Sequence, residues 1–314
     1  MNTTPKVRLT AGRLVYLALY QPLGWLHRSW REGGPANQLI TANGRRAMMH
    51  AATLLPPLAQ SPADAPEISF LTGKRFWYQT AFCFWSLCRQ AGRPLRATFF
   101  DDGTFDKSLR AESARVFPGS RVCGAEEVHS LLDQYLPNQR YPALRKRRLA
   151  YPNLRKLTDC HAGGQNWRLV LDSDMLFFHR PAALMDWLQS PSQPLHMTDV
   201  QNAYGYSPAL MEKLTGQKIP QLVNVGICGL QSAQIDWDQL EHWCQQLEAA
   251  EGTSYYLEQA LVAMLLAGQT AERLPTRDYR LLPNDEECCR PTAALHHYVD
   301  LSKRGYFRYA WRVA

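Results

Sequence analysis

The sequence lacks an apolar run long enough to cross a bilayer as a helix. The best candidate, residues 14–26, is broken by Gln21, Pro22 and Gly24, whereas a membrane span needs about 20 consecutive apolar residues. Residues 1–13 are polar and do not have the pattern of a cleavable signal peptide. We therefore expect a cytoplasmic protein.

Aromatic and basic side chains accompany this run and leave two interpretations open for residues 14–31. Tyr16, Tyr20 and Trp25 suit the interface of a membrane, and the flanking arginines suit its anionic lipids. The segment would then make peripheral contact at the inner face of a membrane. The alternative, which we favour, is a helix packed on the body of the protein, because apolar helices of this size are usually core.

Cysteine is present but without a pattern that assigns it a role. The eight cysteines form no repeated Cys-x-x-Cys pairs, which argues against a zinc ribbon and a secreted disulfide framework. The adjacent Cys288 and Cys289 receive no function. Hydrophobic residues make up 46% of the chain and charged residues 20%, a composition that excludes intrinsic disorder.

Positive charge exceeds negative charge, with 35 Lys and Arg against 28 Asp and Glu. This balance favours an anionic partner but does not choose among phosphate, nucleic acid and lipid. The basic run at 145–148, with Arg155 and Lys156 after it, has few aromatic neighbours and no nucleic-acid motif around it. We predict no nucleic-acid partner. The run is either a solvated helical face or a wall that attracts a diphosphate, with Arg155 and Lys156 nearest that ligand.

The order of strand-like and helix-like segments predicts an α/β fold with strand and helix in alternation. Proline, glycine and small residues dominate residues 33–66 and predict a linker there. We therefore divide the chain into an N-terminal helical extension and linker, 1–66, and one large domain, 67–314. Its first predicted elements are strand 68–72, helix 76–87, strand 95–100, strand 121–123 and helix 126–135.

Two carboxylates, Asp172 and Asp174, follow the apolar segment that begins at Trp167. In open α/β sheets ligands bind at the carboxyl ends of strands. Carboxylates at such a place can hold a hard divalent cation, which in turn neutralises a pyrophosphate. An Asp-x-Asp pair by itself is a weak signal, but the apolar strand before it removes most of the chance interpretations.

The C-terminal region offers a further ligand and a positive charge. His297 stands six residues before Lys303. An imidazole can complete a Mn²⁺ site, and an ammonium can meet the charge of a departing phosphate. A lone histidine is more often structural, so this prediction depends on its pairing with Asp172 and Asp174.

Four stretches, in order, resemble the retaining, metal-dependent glycosyltransferases of the GT-A fold, particularly glycosyltransferase family 8 and its bacterial relatives. They are the Asp-x-Asp motif at 171–174, an Asn-x-Gly-like segment at 223–227, an acidic-Gln pair at 258–259 that opens a helix, and the His-to-Lys spacing from His297 to Lys303. Two positions depart from the family: Asp300 stands where glycine is common, and Arg304-Gly305 replaces the usual Pro-Trp.

The resemblance implies a hexosyltransferase-like enzyme that moves a sugar from a nucleotide-sugar donor, a UDP-sugar in the first instance, to an unknown saccharide, lipid or protein acceptor. It implies Mn²⁺ as the cofactor, with Mg²⁺ as the alternative, held by Asp172, Asp174 and His297. Gln259, Glu258 and Lys303 are the implied catalytic residues. The implied nucleotide-sugar contacts are Thr72, Gly73, Asp101, Asp102, Arg155, Lys156, Asn224 and Gly226. Residues 101–103 also read as an ordinary turn, with Gly103 at positive φ, and the two interpretations are compatible.

Two other classes of protein stay open. A phosphotransferase of the Asp-x-Asp-x-Thr type would place its carboxylates on the first strand and a threonine where this chain has Leu176. The other is a catalytically silent nucleotide-binding or membrane-associated module, although the presence of every metal-ligand type argues against silence. Turnover of a UDP-sugar with and without Mn²⁺ separates the three.

Overall fold

A computed structural model describes residues 33–314, and the segment 14–31 with its predicted membrane contact lies outside the described residues. Within 33–314, no helix is both long enough and apolar enough to cross a membrane.

The strands are β1 Glu67–Thr72, β2 Arg96–Asp101, β3 Arg121–Cys123, β4 Trp167–Leu171, β5 Met175–Phe177, β6 Leu195–Thr198, β7 Val223–Gln231, β8 Glu272–Arg273, β9 Tyr279–Leu281 and β10 Leu295–His297. The α-helices are α1 Pro35–Thr53, α2 Trp77–Gln90, α3 Lys107–Val116, α4 Ala125–Tyr135, α5 Pro142–Ala150, α6 Arg155–His161, α7 Ala182–Gln189, α8 Pro208–Thr215, α9 Trp237–Glu251, α10 Leu257–Leu265, α11 Asp285–Cys289 and α12 Lys303–Arg308. Short 3₁₀ turns lie at Pro152–Leu154, Ser232–Gln234, Asp300–Ser302 and Ala310–Arg312.

Seven strands form a mostly parallel sheet in the order β3-β2-β1-β4-β7-β6-β8. The first four of these are parallel to one another, and β7 runs antiparallel to both of its neighbours, β4 and β6. A second sheet has the order β5-β10-β9. Because β5 follows β4 after only three residues, the two sheets meet at Asp172–Asp174.

Apolar side chains cover both faces of the large sheet, so its central strands are almost continuously hydrophobic. On β4, Leu169 and Leu171 face one cluster, which includes the aromatic rings of α2, and Val170 faces the other, which includes α6 and α10. The early elements agree closely with the predicted ones: the strand expected at 68–72 is Glu67–Thr72, and the strand at 121–123 is reproduced.

The linker predicted over 33–66 is wrong for its first part, because Pro35–Thr53 is a helix of 19 residues. Pro35 occupies the first turn, where its missing N–H costs nothing. The helix packs on the body through small or slender side chains: Met48 and Ala52 are buried, and Gly44 lies against the Phe307 carbonyl, where a β-carbon would stand only 2.3 Å from the oxygen. Because this packing needs few large apolar residues, the composition of the segment resembles that of a linker.

The basic run on α5 is tied into the protein by ion pairs. Arg148 is buried and donates to both carboxylate oxygens of Asp159, and Arg147 pairs with Glu248. Arg145 pairs with Asp133 at 2.8 Å. A fully solvated face is therefore the wrong interpretation for this run.

Candidate active site

The functional side chains lie where the two sheets meet. The chain leaves β4 at Leu171, passes through Asp172–Asp174 and enters β5. Strand β10 pairs antiparallel with β5, which sets His297 opposite Met175. The backbone is fastened on both sides, since Asp172 N–H donates to the Gly226 carbonyl at 2.7 Å and Tyr298 N–H donates to the Asp174 carbonyl at 2.9 Å.

Asp172, Asp174 and His297 bring one ligand atom each to within 4.8 Å of one another. His297 Nε2 is 3.3 Å from Asp174 Oδ1 and 3.7 Å from Asp172 Oδ2. The predicted set of metal-ligand types is thus brought together in space. Two carboxylates and an imidazole form a donor set that suits Mn²⁺ and also accepts other divalent ions.

The imidazole of His297 provides a test of fit for a cation. Its side chain is only 3% exposed, and neither ring nitrogen has a hydrogen-bond partner. Buried polar groups are normally hydrogen-bonded, whereas this imidazole has only the ion-pair contacts with the two carboxylates, at 3.3 and 3.7 Å, which is the arrangement that a metal ligand requires. His296 points to the opposite face of β10, where it packs on Phe178 and meets the Tyr298 hydroxyl at 3.1 Å. The register predicted from the spacing to Lys303 therefore places the correct histidine at the carboxylates.

Lys156 anchors Asp172 from the other side. Its Nζ lies 2.6 Å from Asp172 Oδ1 and 3.3 Å from Glu258 Oε2. This contact leaves Asp172 Oδ2 as the oxygen that faces His297. Burial acts to lower the pKa of Lys156, but the two carboxylates outweigh burial and hold the pKa of the ammonium above its ordinary value.

Glu258 has the opposite balance. Burial raises the pKa of Glu258 to about 8, and the neighbouring Lys156 ammonium only partly offsets this effect. Glu258 lies against the Lys156 ammonium at 3.3 Å, which makes it a poor nucleophile and a neighbour that orients Lys156.

Lys303 reaches the second carboxylate, with Nζ 3.0 Å from Asp174 Oδ2. Burial acts to raise the pKa of Asp174, but His297 and Lys303 hold it well below its usual range. The turn before Lys303 contains Asp300 at φ 43°. This is the left-handed region that favours glycine, so Asp300 adopts this turn at some cost in backbone strain.

Asn224 and Gln259 share a partner that sequence reasoning missed. Both amide nitrogens donate to Asp199 Oδ2, at 3.0 and 3.2 Å. Asp199 follows β6 directly, just as Asp172 follows β4. An acidic residue immediately after a short apolar strand was the signal that could have found it.

The predicted nucleotide contacts separate into two groups. Asp102 and Thr72 line the cavity, whereas the Asp101 carboxylate turns inward and accepts the backbone N–H groups of Gly103 and Phe105. Arg155 donates to the Asp102 carbonyl at 2.8 Å and does not line the cavity. A diphosphate contact for Arg155 and a base contact for Asp101 stay predictions.

Gly73 does not line the cavity either, but it shapes the cavity wall. A β-carbon at this position would stand 1.9 Å from Asp102 Oδ1. Glycine is therefore required for β1 to approach the loop that carries Asp102.

Asp172, Asp174 and His297 border one cavity of about 660 Å³, a size that accommodates a nucleotide-sugar. Leu71 and Thr72 lie at the end of β1, Asp102 and Asp199 directly follow β2 and β6, and Gln259 belongs to α10. The cavity thus extends along the carboxyl ends of strands, the usual ligand position of an open α/β sheet. Lys156, Asn224, Gly226, Glu258 and Lys303 also border it.

The arrangement weakens one alternative class of protein. The Asp-x-Asp segment follows β4 rather than the first strand, and Leu176 is fully buried within β5. No hydroxyl is available at that position to assist phosphoryl transfer in the manner of an Asp-x-Asp-x-Thr enzyme.

Comparison with solved structures identifies the fold. No protein-family model matches the sequence, and no curated protein matches it. The structure of mouse xyloside xylosyltransferase 1 is similar at 13% identity with a TM-score of 0.50, and the match covers 74% of this chain and 97% of that chain. The galactosyltransferase LgtC, solved with donor and acceptor sugar analogues, is similar at 14% identity and a TM-score of 0.48, over 74% of this chain and 87% of that chain. The bifunctional glycosyltransferase WbbM is similar at 11% identity and a TM-score of 0.48, over 81% of this chain and 52% of that chain.

At these identities the likeness is one of fold. The chain has an α/β fold of the GT-A type, as predicted, with the architecture of the mouse xylosyltransferase over almost the whole of that chain.

Proposed function

We propose that this protein is a metal-dependent glycosyltransferase that takes a sugar from a nucleotide-sugar, a UDP-sugar in the first instance, and transfers it with retention to an acceptor hydroxyl. The observation that carries the proposal is the buried His297 imidazole, which makes no hydrogen bond and faces Asp172 and Asp174. It lies in a nucleotide-sized cavity of a fold that glycosyltransferases use.

Asp172, Asp174 and His297 would hold Mn²⁺, which when bound supplies positive charge to a diphosphate. Lys303, 3.0 Å from Asp174, has its ammonium beside that position. In a transfer, the bond from the anomeric carbon to the β-phosphate oxygen breaks, and negative charge builds on the diphosphate. The Lys303 ammonium meets that charge most strongly in the transition state.

Retention is supported by what lies near Gln259. Glu258 lies against the Lys156 ammonium at 3.3 Å, and Gln259 carries no charge. Neither residue offers a strong nucleophile for a covalent intermediate. The acceptor oxygen can then bond to the anomeric carbon on the face that the diphosphate leaves, and the acceptor proton passes to the departing phosphate oxygen.

A donor screen tests the proposal without an acceptor. Nucleotide-sugars are added with Mn²⁺, and both thermal stabilisation and slow hydrolysis to the nucleotide are measured, then repeated after chelation. A bound ligand raises the stability of the folded state by mass action. We expect stabilisation and hydrolysis by at least one UDP-sugar, both lost with chelator.

Asp172→Asn and Asp174→Asn should fold normally and lose metal-dependent donor binding, whereas the matched change Asp186→Asn on the exposed face of α7 should not. Normal Mn²⁺ and UDP binding by either site variant would contradict the metal assignment. Donor binding without any hydrolysis would instead favour the catalytically silent module.

A further inference from the structure

Asp199 holds an unusual number of donors for one partly exposed carboxylate. Its Oδ2 accepts from Asn224 Nδ2 at 3.0 Å and from Gln259 Nε2 at 3.2 Å, and its Oδ1 accepts from the Val200 backbone N–H at 2.7 Å. The three donors come from separate parts of the chain: β7, α10 and the loop after β6. The carboxylate therefore joins three elements that border the cavity.

The chemistry of these groups fixes how the two amides are turned. An ionised carboxylate can only accept hydrogen bonds, whereas an amide has an NH₂ end and a carbonyl end. Both Asn224 and Gln259 must therefore present their NH₂ groups to Asp199. The Asn224 carbonyl is used by the Gly226 N–H at 3.0 Å, which leaves the Gln259 carbonyl as the end of this pair that is free to face a ligand.

We propose that Asp199 is a positioning residue that holds the Gln259 side chain with its carbonyl oxygen toward the sugar end of the cavity. This inference rests on the proposed function for its kinetic consequences. Gln259 lines the cavity and is almost entirely buried around its Asp199 contact. A carbonyl oxygen is partly negative, so it favours the positive charge that develops at an anomeric carbon, whereas a flipped NH₂ group opposes that charge.

The decisive variant is Asp199→Ala, which removes both acceptor oxygens. Asn224 Nδ2 and Gln259 Nε2 then lose the acceptor that they share, so the orientation of the Gln259 amide is no longer fixed. Loss of a fixed orientation at a reacting centre costs up to about a hundredfold in rate. We expect kcat for donor hydrolysis to fall by about tenfold to a hundredfold. The donor KM should change less.

The matched control is Asp64→Ala, the same chemical change at an exposed position outside the cavity lining. It should leave kcat as in the unaltered protein. Thermal unfolding of both variants shows whether they fold, so that kcat is compared only between folded proteins. A kcat for Asp199→Ala within twofold of the unaltered protein would overturn the proposal.

A compensating pair distinguishes positioning from simple structural support. Gln259→Glu alone places two carboxylates against each other and should lower kcat. Combining it with Asp199→Asn restores a donor opposite an acceptor, while the second oxygen of the introduced carboxylate still faces the cavity. We expect the double variant to be more active than Gln259→Glu alone, with only partial recovery because Asn224 loses its partner. A double variant no more active than Gln259→Glu would contradict the proposal.

A measurement without substrate separates this inference from the proposed function. Side-chain NH₂ signals of ¹⁵N-labelled asparagine and glutamine are recorded in the full chain, and those of Asn224 and Gln259 are assigned from Asn224→Asp and Gln259→Glu. We expect both NH₂ groups to exchange slowly with water and to lose this protection in Asp199→Ala. Unchanged protection would overturn the positioning role. Absence of turnover with every nucleotide-sugar would remove the proposed function while leaving this result interpretable.

Discussion

Gly226 lies directly against the imidazole of His297. A β-carbon at position 226 would stand 2.4 Å from His297 Cε1 and 2.7 Å from Nδ1, closer than side chains approach one another. The glycine on β7 therefore provides the space in which the His297 ring faces Asp172 and Asp174. The Asn-x-Gly-like segment at 223–227 therefore serves this site in two ways. Gly226, which has no side chain, leaves room for the His297 ring, and Asn224 borders the cavity.

Gly226→Ala should displace the His297 ring and weaken Mn²⁺ binding. Strand β10 fixes the His297 backbone, so the ring itself must move, and small displacements of a ligand disturb coordination geometry. We expect the Mn²⁺ affinity to fall on the order of tenfold to a hundredfold, as for other changes that disorient ligands. Titration calorimetry in the absence of nucleotide measures it.

Gly229→Ala is the control on the same strand. A β-carbon there would meet the Trp187 ring at 2.5 Å, which is similar crowding at a place away from His297. This variant should lower the melting temperature but keep the Mn²⁺ affinity. Equal losses of affinity in both variants would show that general strain in β7, rather than the His297 ring, is responsible.

The two adjacent histidines should respond in opposite ways to replacement. His297→Ala removes a ligand and should abolish high-affinity Mn²⁺ binding, in addition to the loss of stability from the space that a buried side chain leaves. His296→Ala leaves a space against Phe178 and Tyr298 and should cost about 3 kcal/mol of unfolding free energy without loss of Mn²⁺ affinity. Calorimetry and urea unfolding measure the two quantities, and a reversed pattern would exclude the assigned register.

Local pattern predicted much of the chain up to the metal ligands. Strands β1 to β4 coincide with apolar runs that end at or next to a glycine or an aspartate. The ends of these strands, and the carboxylates there, could therefore be located from the sequence. The spacing from His297 to Lys303, read through the family resemblance, also pointed to the histidine that lies beside Asp172 and Asp174. Both inferences depend on short-range order along the chain.

The parts that were missed depend on long-range contacts. Helix α1 buries only a few small or slender side chains, such as Met48 and Ala52. Its packing on Phe307 depends on residues at the other end of the chain. Asp199 becomes important only because β6 and β7 pair and bring Asn224 beside it. No local pattern shows which distant amides a carboxylate will accept from.

Acid should destabilise the protein through His161. This side chain is 2% exposed, meets Ser232 Oγ at 2.8 Å, and has its pKa lowered to about 3 by burial, with a further contribution from the Arg168 charge. The unfolded chain binds a proton near the ordinary pKa of about 6.5, before the folded one does. Stability from this group is therefore present above about pH 6.5 and is lost, at up to about 1.4 kcal/mol per pH unit, as pH falls toward 3.

Urea unfolding of His161→Gln from pH 7 to pH 4 measures this contribution. Glutamine keeps a hydrogen-bonding group for Ser232 but does not titrate, so the variant should lose less stability over the range than the unaltered protein. The exposed His129 supplies the control, since His129→Gln should leave the pH dependence as it is. Parallel pH profiles for His161→Gln and the unaltered protein would exclude His161 as the source of acid sensitivity.

Lys303 should contribute more to turnover than to donor binding. Its ammonium lies 3.0 Å from Asp174 and borders the cavity, where charge on a departing diphosphate would increase as the glycosidic bond breaks. Removing one such contact commonly lowers kcat by on the order of a hundredfold, and a contact that strengthens in the transition state affects kcat more than KM. Steady-state donor hydrolysis by Lys303→Ala measures both constants.

Arg304→Ala is the matched control, because Arg304 pairs with Asp285 at 2.7 Å and does not line the cavity. An unchanged kcat for Lys303→Ala, with the protein folded, would place this lysine outside the reaction and leave it as a partner of Asp174 only.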